Sequence, residues 1–506
     1  MREYSELEKI RLAKMERLRA AGMEPYPSRA QRTHTSAQAL ADYAHQTVAD
    51  EHTPHGDYTV AGRLRGIRVM GKAAFAHIED GAGRLQLYFR SNELGADKFK
   101  LFVDNFDLGD FVQASGGLFK TKTGELSLWV RDYRILAKAI SPLPAAKEEM
   151  VDGQKVVHSA FDNAEARYRE RYADLAVNPE VREIFRTRAK ITAALRKFLD
   201  NNGFLEVETP ILQPLYGGAA ARPFTTHHNQ LHQDLYLRIS FELYLKRLLV
   251  GNLERVYEIG RDFRNEGVSF KHNPEFTQLE FYWAYADYEQ VMRLTEDMIA
   301  FVADEVLGSR TLRYQGRDLN LNPGWPRIPL VEAIDEFAGI NIAQHPTAES
   351  LVAAVHAKNL PADPHATRGK LIEKLLGDQV EPHLQQPTFI VDYPRDISPL
   401  AKARPGDPTV VERFEGYLAG FELCNAFTEL NDPLDQEQRF IEMGHDYAAD
   451  SDDAHPLDED YLRAMRYGMP PNGGFGMGVD RLTMLFTDKA TIREVILFPH
   501  LRSKEE

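Results

Sequence analysis

The sequence predicts an α+β chain, a small closed β-barrel followed by one large domain of alternating helices and strands. Two stretches of the 506 residues carry this reading. Between about Tyr58 and Leu136, five short runs favour strands: YTVAGRLRGIRV, AAFAHIED, RLQLYFR, DFVQASGGLF and ELSLWVRDYRIL. Glycine-rich turns and KTKTG divide them. From about Ala164 onward the spacing becomes helical, as in REIFRTRAKITAALRKFLDNNG, closed by Gly203, and YEQVMRLTEDMIAFVADEVL.

Each element follows in order. Residues 2–20 place Leu7, Ile10, Met15 and Leu18 among mixed charges, which predicts one amphipathic helix with a solvated face. The five strands fit a barrel of the OB-fold kind, whose open face suits oligonucleotides. Arg63, Arg65, Arg68 and Lys72 stand near Phe75, Tyr88 and Phe89, a mixture of cations and rings that single-stranded bases favour. The stretch 141–159 reads as a polar, irregular connector. The expected divisions are a helical extension (1–57), the barrel (58–144), a connector (145–165) and the large domain (166–506).

Composition removes several classes. With 43% hydrophobic and 27% charged residues the chain is neither disordered nor fibrous. A single cysteine, Cys424, excludes a disulfide framework and a cysteine-based zinc site. No apolar run approaches the roughly 20 residues of a membrane helix, and the charged N-terminus has no signal-like core, so a cytoplasmic protein without a membrane partner is expected. The 61 basic against 76 acidic residues give a net charge of −15. That average does not exclude nucleic acid, which needs only a local basic stripe.

Three segments hold the chemistry. In 254–285, ERVYEIGRDFRNEGVSFKHNPEFTQLEFYWAY reads as strand, loop and returning strand. Strand parity puts Phe276, Gln278, Glu280 and Tyr282 on one face and Thr277, Leu279, Phe281 and Trp283 on the other, with Arg264 and Glu266 sharing a face on the first arm. A second strand, 422–429, aligns Asn425, Phe427 and Glu429, a pocket for a cation with an aliphatic stem. Glu415 and Glu422 add oxygen donors of the kind Mg²⁺ takes. Parity sets Glu422 opposite Glu429, so a bulge or twist must turn one of them if both serve one site. The third segment, GGFGMGVDRL (473–482), allows close backbone approach and brings Arg481 beside a ligand; no GxxxxGK[ST] loop occurs.

Together these segments resemble the class II aminoacyl-tRNA synthetases, and within them the bacterial-type lysine family. GFLEVETP (203–210), FRNE (263–266) and GMGVDR (476–481) match the three class motifs. GGAAARPFTTHHN, ELYLKRL, YPRDISPLAK and NAFTELNDPLDQ match lysine-type features, and GKAAF and LFKTKTGELS match the family's anticodon-binding barrel. Ser240 and Phe241 depart from the Ala and Pro often found there.

The resemblance implies a catalytic domain built on an antiparallel sheet flanked by helices. It also implies ATP, L-lysine, Mg²⁺ and tRNA(Lys) as substrates and partners, and a homodimer. Arg264, Glu266 and Arg481 would be catalytic. Arg264, His272, Asn273, Phe276 and Arg481 would bind ATP, with His272 at the outer phosphates. Gly217, Glu242, Glu280, Tyr282, Asn425, Phe427 and Glu429 would bind lysine, and Glu415 and Glu422 the metal. Arg68, Phe75, Gln86 and Glu125 would read the anticodon. The helical face Ile191, Leu195, Phe198 and Leu199 would belong to the two-fold interface. The alternatives are an aspartyl- or asparaginyl-type synthetase, a protein-lysylating paralogue without the barrel, and an inactive tRNA- or protein-binding module.

Overall fold

The computed structural model describes residues 3–45, 50–144, 147–151, 154–158, 161–447 and 457–502. The chain divides into two compact units, one built on the residues up to Arg167 and one on those from Asn178 onward, the stretch between being shared out.

In the first unit the strands β1 (His55–Met70), β2 (Ala73–Glu79), β3 (Arg84–Arg90), β4 (Phe111–Lys120) and β5 (Leu126–Ala137) close a barrel in the order β1-β2-β3-β5-β4. Every pair is antiparallel except β3 with β5. Alternate residues such as Val60, Ala76, Leu87, Val112 and Leu128 fill the interior. Helix α1 (Glu6–Ala20) starts at a reciprocal cap in which Ser5 accepts from the Glu8 amide and the Glu8 carboxylate from the Ser5 amide. Glu6, Lys9, Glu16 and Arg19 keep the solvated face that was expected, and the other face is docked. Met15 and Leu18 are buried, and Arg11 donates to the carbonyl oxygens of Ala139 and Leu108. Lys14 pairs with Asp107 at 2.6 Å, and Arg17 reaches Asn105. Arg11 and Lys14 cover much of their stems while their heads find loop oxygens, whereas Arg17 stays exposed. In the connector, expected to be irregular, the backbone pairs as two antiparallel strands, Lys147–Val151 and Gln154–His158.

The second unit is built on one long sheet. Its strands are β6 (Leu205–Glu206), β7 (Arg255–Phe263), β8 (Glu275–Ala284), β9 (Arg327–Pro329), β10 (Thr388–Pro394), β11 (Asp407–Leu418), β12 (Phe421–Thr428) and β13 (Asn472–Gly478). They lie in the order β9-β10-β11-β12-β13-β8-β7-β6. The pairs from β10 through β7 are antiparallel, and each edge adds a short parallel strand, so the sheet is mixed. Helix α2 (Pro179–Asn201) ends where Gly203 takes φ +77° and the Phe204 amide bonds back to the Leu199 carbonyl. Its face of Ile191, Leu195, Phe198 and Leu199, expected at an interface, is buried in its own core. Leu279, Phe281, Val291, Ile299 and Phe475 share that core, so the helix seals the sheet's inner face. No helix among the described residues is long and apolar enough to cross a membrane.

Candidate active site

The opposite face of the sheet carries a cavity of ≈ 350 Å³. Phe276, Gln278, Glu280 and Tyr282, alternate residues of β8, all line it, while Leu279 and Phe281 point into the core behind. Arg264 and Glu266 line it too, but not from a strand: β7 ends at Phe263, and the loop turns both toward the opening. Glu242, His272, Asn273, Glu422, Asn425, Phe427, Glu429 and Arg481 line it as expected. Gly217 and Glu415 do not line the cavity. The neighbouring Gly218 does, at φ +87°, where a Cβ would lie 2.9 Å from the Glu242 Cβ.

A bulge solves the parity problem on β12. Gly416 of β11 pairs with Cys424 and Tyr417 with Glu422, leaving Leu423 as an extra residue. Glu422 thereby turns to the side of Asn425 and Phe427. Burial acts to raise the Glu422 carboxyl, but Arg481 overcomes it and holds the group below its usual range. The Arg481 Nη1 lies 3.1 Å from Glu422 Oε2. Glu415 sits across the strand pair from Asn425, and its oxygens are taken by Arg413 at 2.6 Å and by the Tyr417 hydroxyl. Burial raises its carboxyl. Of the two expected metal ligands, only Glu422 is open to the cavity. Its carboxylate suits a hard cation that keeps most of its ligands as phosphate and water.

His272 is pushed down to about 4 by burial, with Arg481 and Lys271 adding to it, so the ring is neutral at pH 7. Its Nε2 lies 3.2 Å from Arg481 Nη2 and accepts from it, which leaves Nδ1–H to donate to Ser269 Oγ at 2.8 Å. The ring therefore orients Arg481 and carries no charge for phosphates. Beside Arg264 the loop supplies a second cation, Lys271, which lines the same cavity and pairs with Glu381 at 3.0 Å. Arg264 lies over Phe276, 5.1 Å from the ring centre. Asp480 ties the elements together, accepting from the Thr277 amide at 2.6 Å and from Arg188 of α2.

At the cavity's far end Glu429 is fully buried. Its Oε2 accepts from Lys246 Nζ at 2.6 Å, whereas Oε1 has no partner among the described residues. Lys246, one turn after Glu242 on helix α3 (Glu242–Val250), also reaches Glu242 Oε1 at 2.7 Å. Sequence reasoning missed it, although Glu→Lys at i,i+4 was there to be read. Glu280 accepts from Ser240 Oγ at 2.9 Å and from the Tyr282 hydroxyl at 3.1 Å. Burial, with Asp262 and Glu242 nearby, pushes Glu280 up to about 8. Ser240, a departure from the family pattern, also accepts from the Glu242 amide at 3.1 Å, just before α3. Phe241 packs under the Arg238 guanidinium, 4.0 Å from the ring centre.

On the barrel, Phe75 stacks on Tyr88 at 4.8 Å and Arg68 lies 5.6 Å from the Phe75 ring centre. Gln86 donates from Nε2 to Glu125 at 2.7 Å and accepts from Ser127. His77 joins this group, 3.1 Å from Glu125. Phe89 is instead core, stacked on Phe102. Arg63 lies over Phe111 and Arg65 pairs with Glu79, so neither belongs to the stacked cluster.

Residues 163–502 match the family model described as tRNA synthetases class II (D, K and N), and residues 58–136 the OB-fold nucleic acid binding domain. The chain belongs to the class II tRNA synthetases, in their lysine--tRNA ligase branch. A "Lysine--tRNA ligase" of Roseiflexus castenholzii is 54% identical over 99% of this chain and 100% of its own length. That of Chloroflexus aurantiacus is 52% identical over the whole of both chains, and that of Moorella thermoacetica 51% identical over 99% of each.

Proposed function

We propose that the protein joins L-lysine to tRNA(Lys) in two steps at this cavity. The observation that carries the reading is the unpartnered Oε1 of Glu429, a buried acceptor at the end of a cavity that Arg264 enters from the loop. An amino acid with a cationic side chain satisfies both. Its ε-ammonium meets Glu429 beside Tyr282, Asn425 and Phe427, and its carboxylate meets Arg264. Glu242 and the Gly217–Gly218 backbone receive the α-ammonium.

In the first step a carboxylate oxygen of lysine attacks the α-phosphorus of ATP and pyrophosphate leaves. Phe276 and Arg481 enclose the adenine. Arg264 and Lys271 meet the developing negative charge, with Glu266 and Asn273 bordering the nucleotide, so catalysis is positioning and charge stabilisation. In the second step the terminal adenosine hydroxyl of tRNA attacks the adenylate carbonyl, AMP leaves, and a phosphate oxygen accepts the proton. Glu422 is the carboxylate that would hold Mg²⁺, with Glu415 behind it, and the ion would supply charge neutralisation to the phosphates.

An aspartyl-type site needs a cation facing its substrate. Lys246 is the buried cation here, but it stands behind the carboxylates and does not line the cavity. A paralogue lacking the barrel is set aside by the barrel itself. An inactive module gives no reason for Arg264, Glu422 and Arg481 to converge on one cavity. Lysine-dependent exchange of labelled pyrophosphate into ATP tests the reading; exchange with aspartate and not lysine, or none, overturns it.

Two expectations follow for partners. Phe75→Ala removes a stacking face worth about 1–3 kcal/mol per base, so tRNA charging should weaken while pyrophosphate exchange stays nearly intact. Loss of both together would make Phe75 a packing residue. A homodimer is supported by exposed apolar side chains after α2, namely Leu205, Ile211, Leu212 and Leu215, each 38–52% exposed. Sedimentation at about micromolar concentration should show twice the 57.5 kDa chain mass; a monomer alone would refute it. This reading puts the enzyme in the cytoplasm, with its tRNA.

A further inference from the structure

Three carboxylates, Glu242, Glu280 and Glu429, crowd the end of the cavity, and one ammonium, that of Lys246, stands among them. Lys246 has no solvent exposure. Its Nζ is 2.7 Å from Glu242 Oε1 and 2.6 Å from Glu429 Oε2, with the Phe427 and Tyr461 rings at 5.9 and 5.6 Å. The ammonium takes one oxygen from each of two carboxylates and leaves Glu429 Oε1 empty-handed.

We propose that Lys246 is a positioning and specificity-setting residue. It stands as a positive charge between Glu242 and Glu429 and fixes their orientation, so that each presents its remaining oxygen to one ammonium of the substrate. The inference rests on the lysine reading above and deepens it.

Every element around Glu429 contributes to its charge balance. Helix α3 brings Glu242 and Lys246, β8 brings Glu280 and Tyr282, and helix α4 (Glu459–Arg466) brings Tyr461, while Arg413 of β11 acts on Glu242. Burial is the largest influence on Glu429 and, with Glu242 and Glu280 adding to it, holds the carboxyl well above its usual range; Lys246 is the main charge opposing them. Burial would by itself discharge Lys246, but Glu242 and Glu429 reverse this and hold its ammonium well above the usual value. Without that ammonium the carboxylates take up protons and cease to bind a cation. A cationic substrate would then have to displace those protons on entry.

The sign of the pH dependence follows. Loss of Lys246 removes the main opposing charge and moves the carboxylates further up, so their charge is recovered only as pH rises. Lysine-dependent pyrophosphate exchange is measured for the parent, Lys246→Met and Lys246→Gln between about pH 6.5 and about pH 9, below the ε-ammonium's own titration. For Lys246→Met, KM for lysine should rise at least about tenfold near pH 7, and the excess should shrink toward pH 9. KM for ATP and kcat at saturating lysine should stay within about threefold of the parent. Lys246→Gln keeps hydrogen-bond donors without the charge; it should shift KM in the same direction, and it carries the test if Lys246→Met does not fold. A parent-like KM for lysine in both variants overturns the inference alone. So does an excess equal at every pH with KM for ATP raised in step, which marks a structural role. Absence of lysine-dependent exchange in the parent overturns the functional reading, and this inference with it.

Discussion

Glu429→Gln should abolish most lysine activation while leaving the fold and the ATP requirement in place. The substitution keeps the shape of the side chain and removes a buried charge that Lys246 holds at 2.6 Å. Breaking such a pair costs on the order of 3–5 kcal/mol, because the surviving partner is left uncompensated. Lys246 then faces Glu242 alone, the cavity end gains a unit of positive charge, and an entering ammonium meets repulsion where it had an acceptor. At about 1.4 kcal/mol per decade, kcat/KM for lysine in pyrophosphate exchange should fall by two to three decades or more. Ornithine, one methylene shorter, brings the same charge to the wrong depth and should lose only about 1–3 kcal/mol against lysine in the parent. A variant that activates lysine like the parent would remove Glu429 from the site.

Much of this site was legible because strands have a period of two. Phe276 through Tyr282 could be assigned to a common face from the sequence, and the structure lines the cavity with all four alternate residues. Glu422 was not legible in the same way. A bulge shifts parity by one, and nothing in ELCNAFTE says that Leu423 is the unpaired residue. The loop positions Arg264 and Glu266 escaped for a related reason, since a strand's end is set by where its partner stops pairing. His272 was legible as a loop residue but not as a neutral acceptor, because its state depends on burial and on Arg481, more than 200 residues away. The barrel strands showed in their alternation, but the parallel closure of β3 on β5 is a long-range pairing that local pattern does not carry. Lys246 reads as an ordinary i,i+4 helix pair until burial is known.

The glycines of β13 should respond to alanine in a graded order set by geometry. Gly474, Gly476 and Gly478 alternate along the cavity face, and all three line it. A Cβ at Gly474 would lie 1.9 Å from Glu429 Oε1 and 2.6 Å from Tyr282 Cε1, an overlap that something must relieve. The backbone is poorly placed to do so, since Gly474 is paired on one side with Tyr282 and on the other with Phe427. The Glu429 carboxylate must swing away, and with it the acceptor for the ε-ammonium. At Gly476 the Cβ would meet the Gln278 amide at 2.9 Å, the far end of a flexible side chain, which can turn. At Gly478 it would meet only the stem of Arg481 at 3.5 Å, an ordinary contact. Overpacking of this kind costs about 1–3 kcal/mol, so Gly474→Ala should raise KM for lysine on the order of tenfold to a hundredfold. Gly476→Ala should follow with a smaller rise, and Gly478→Ala should leave KM for lysine near the parent value. The measurement is lysine saturation of pyrophosphate exchange at fixed, saturating ATP. Equal responses at the three positions would mean that the strand yields as a unit and that the lysine side chain does not lie against Gly474.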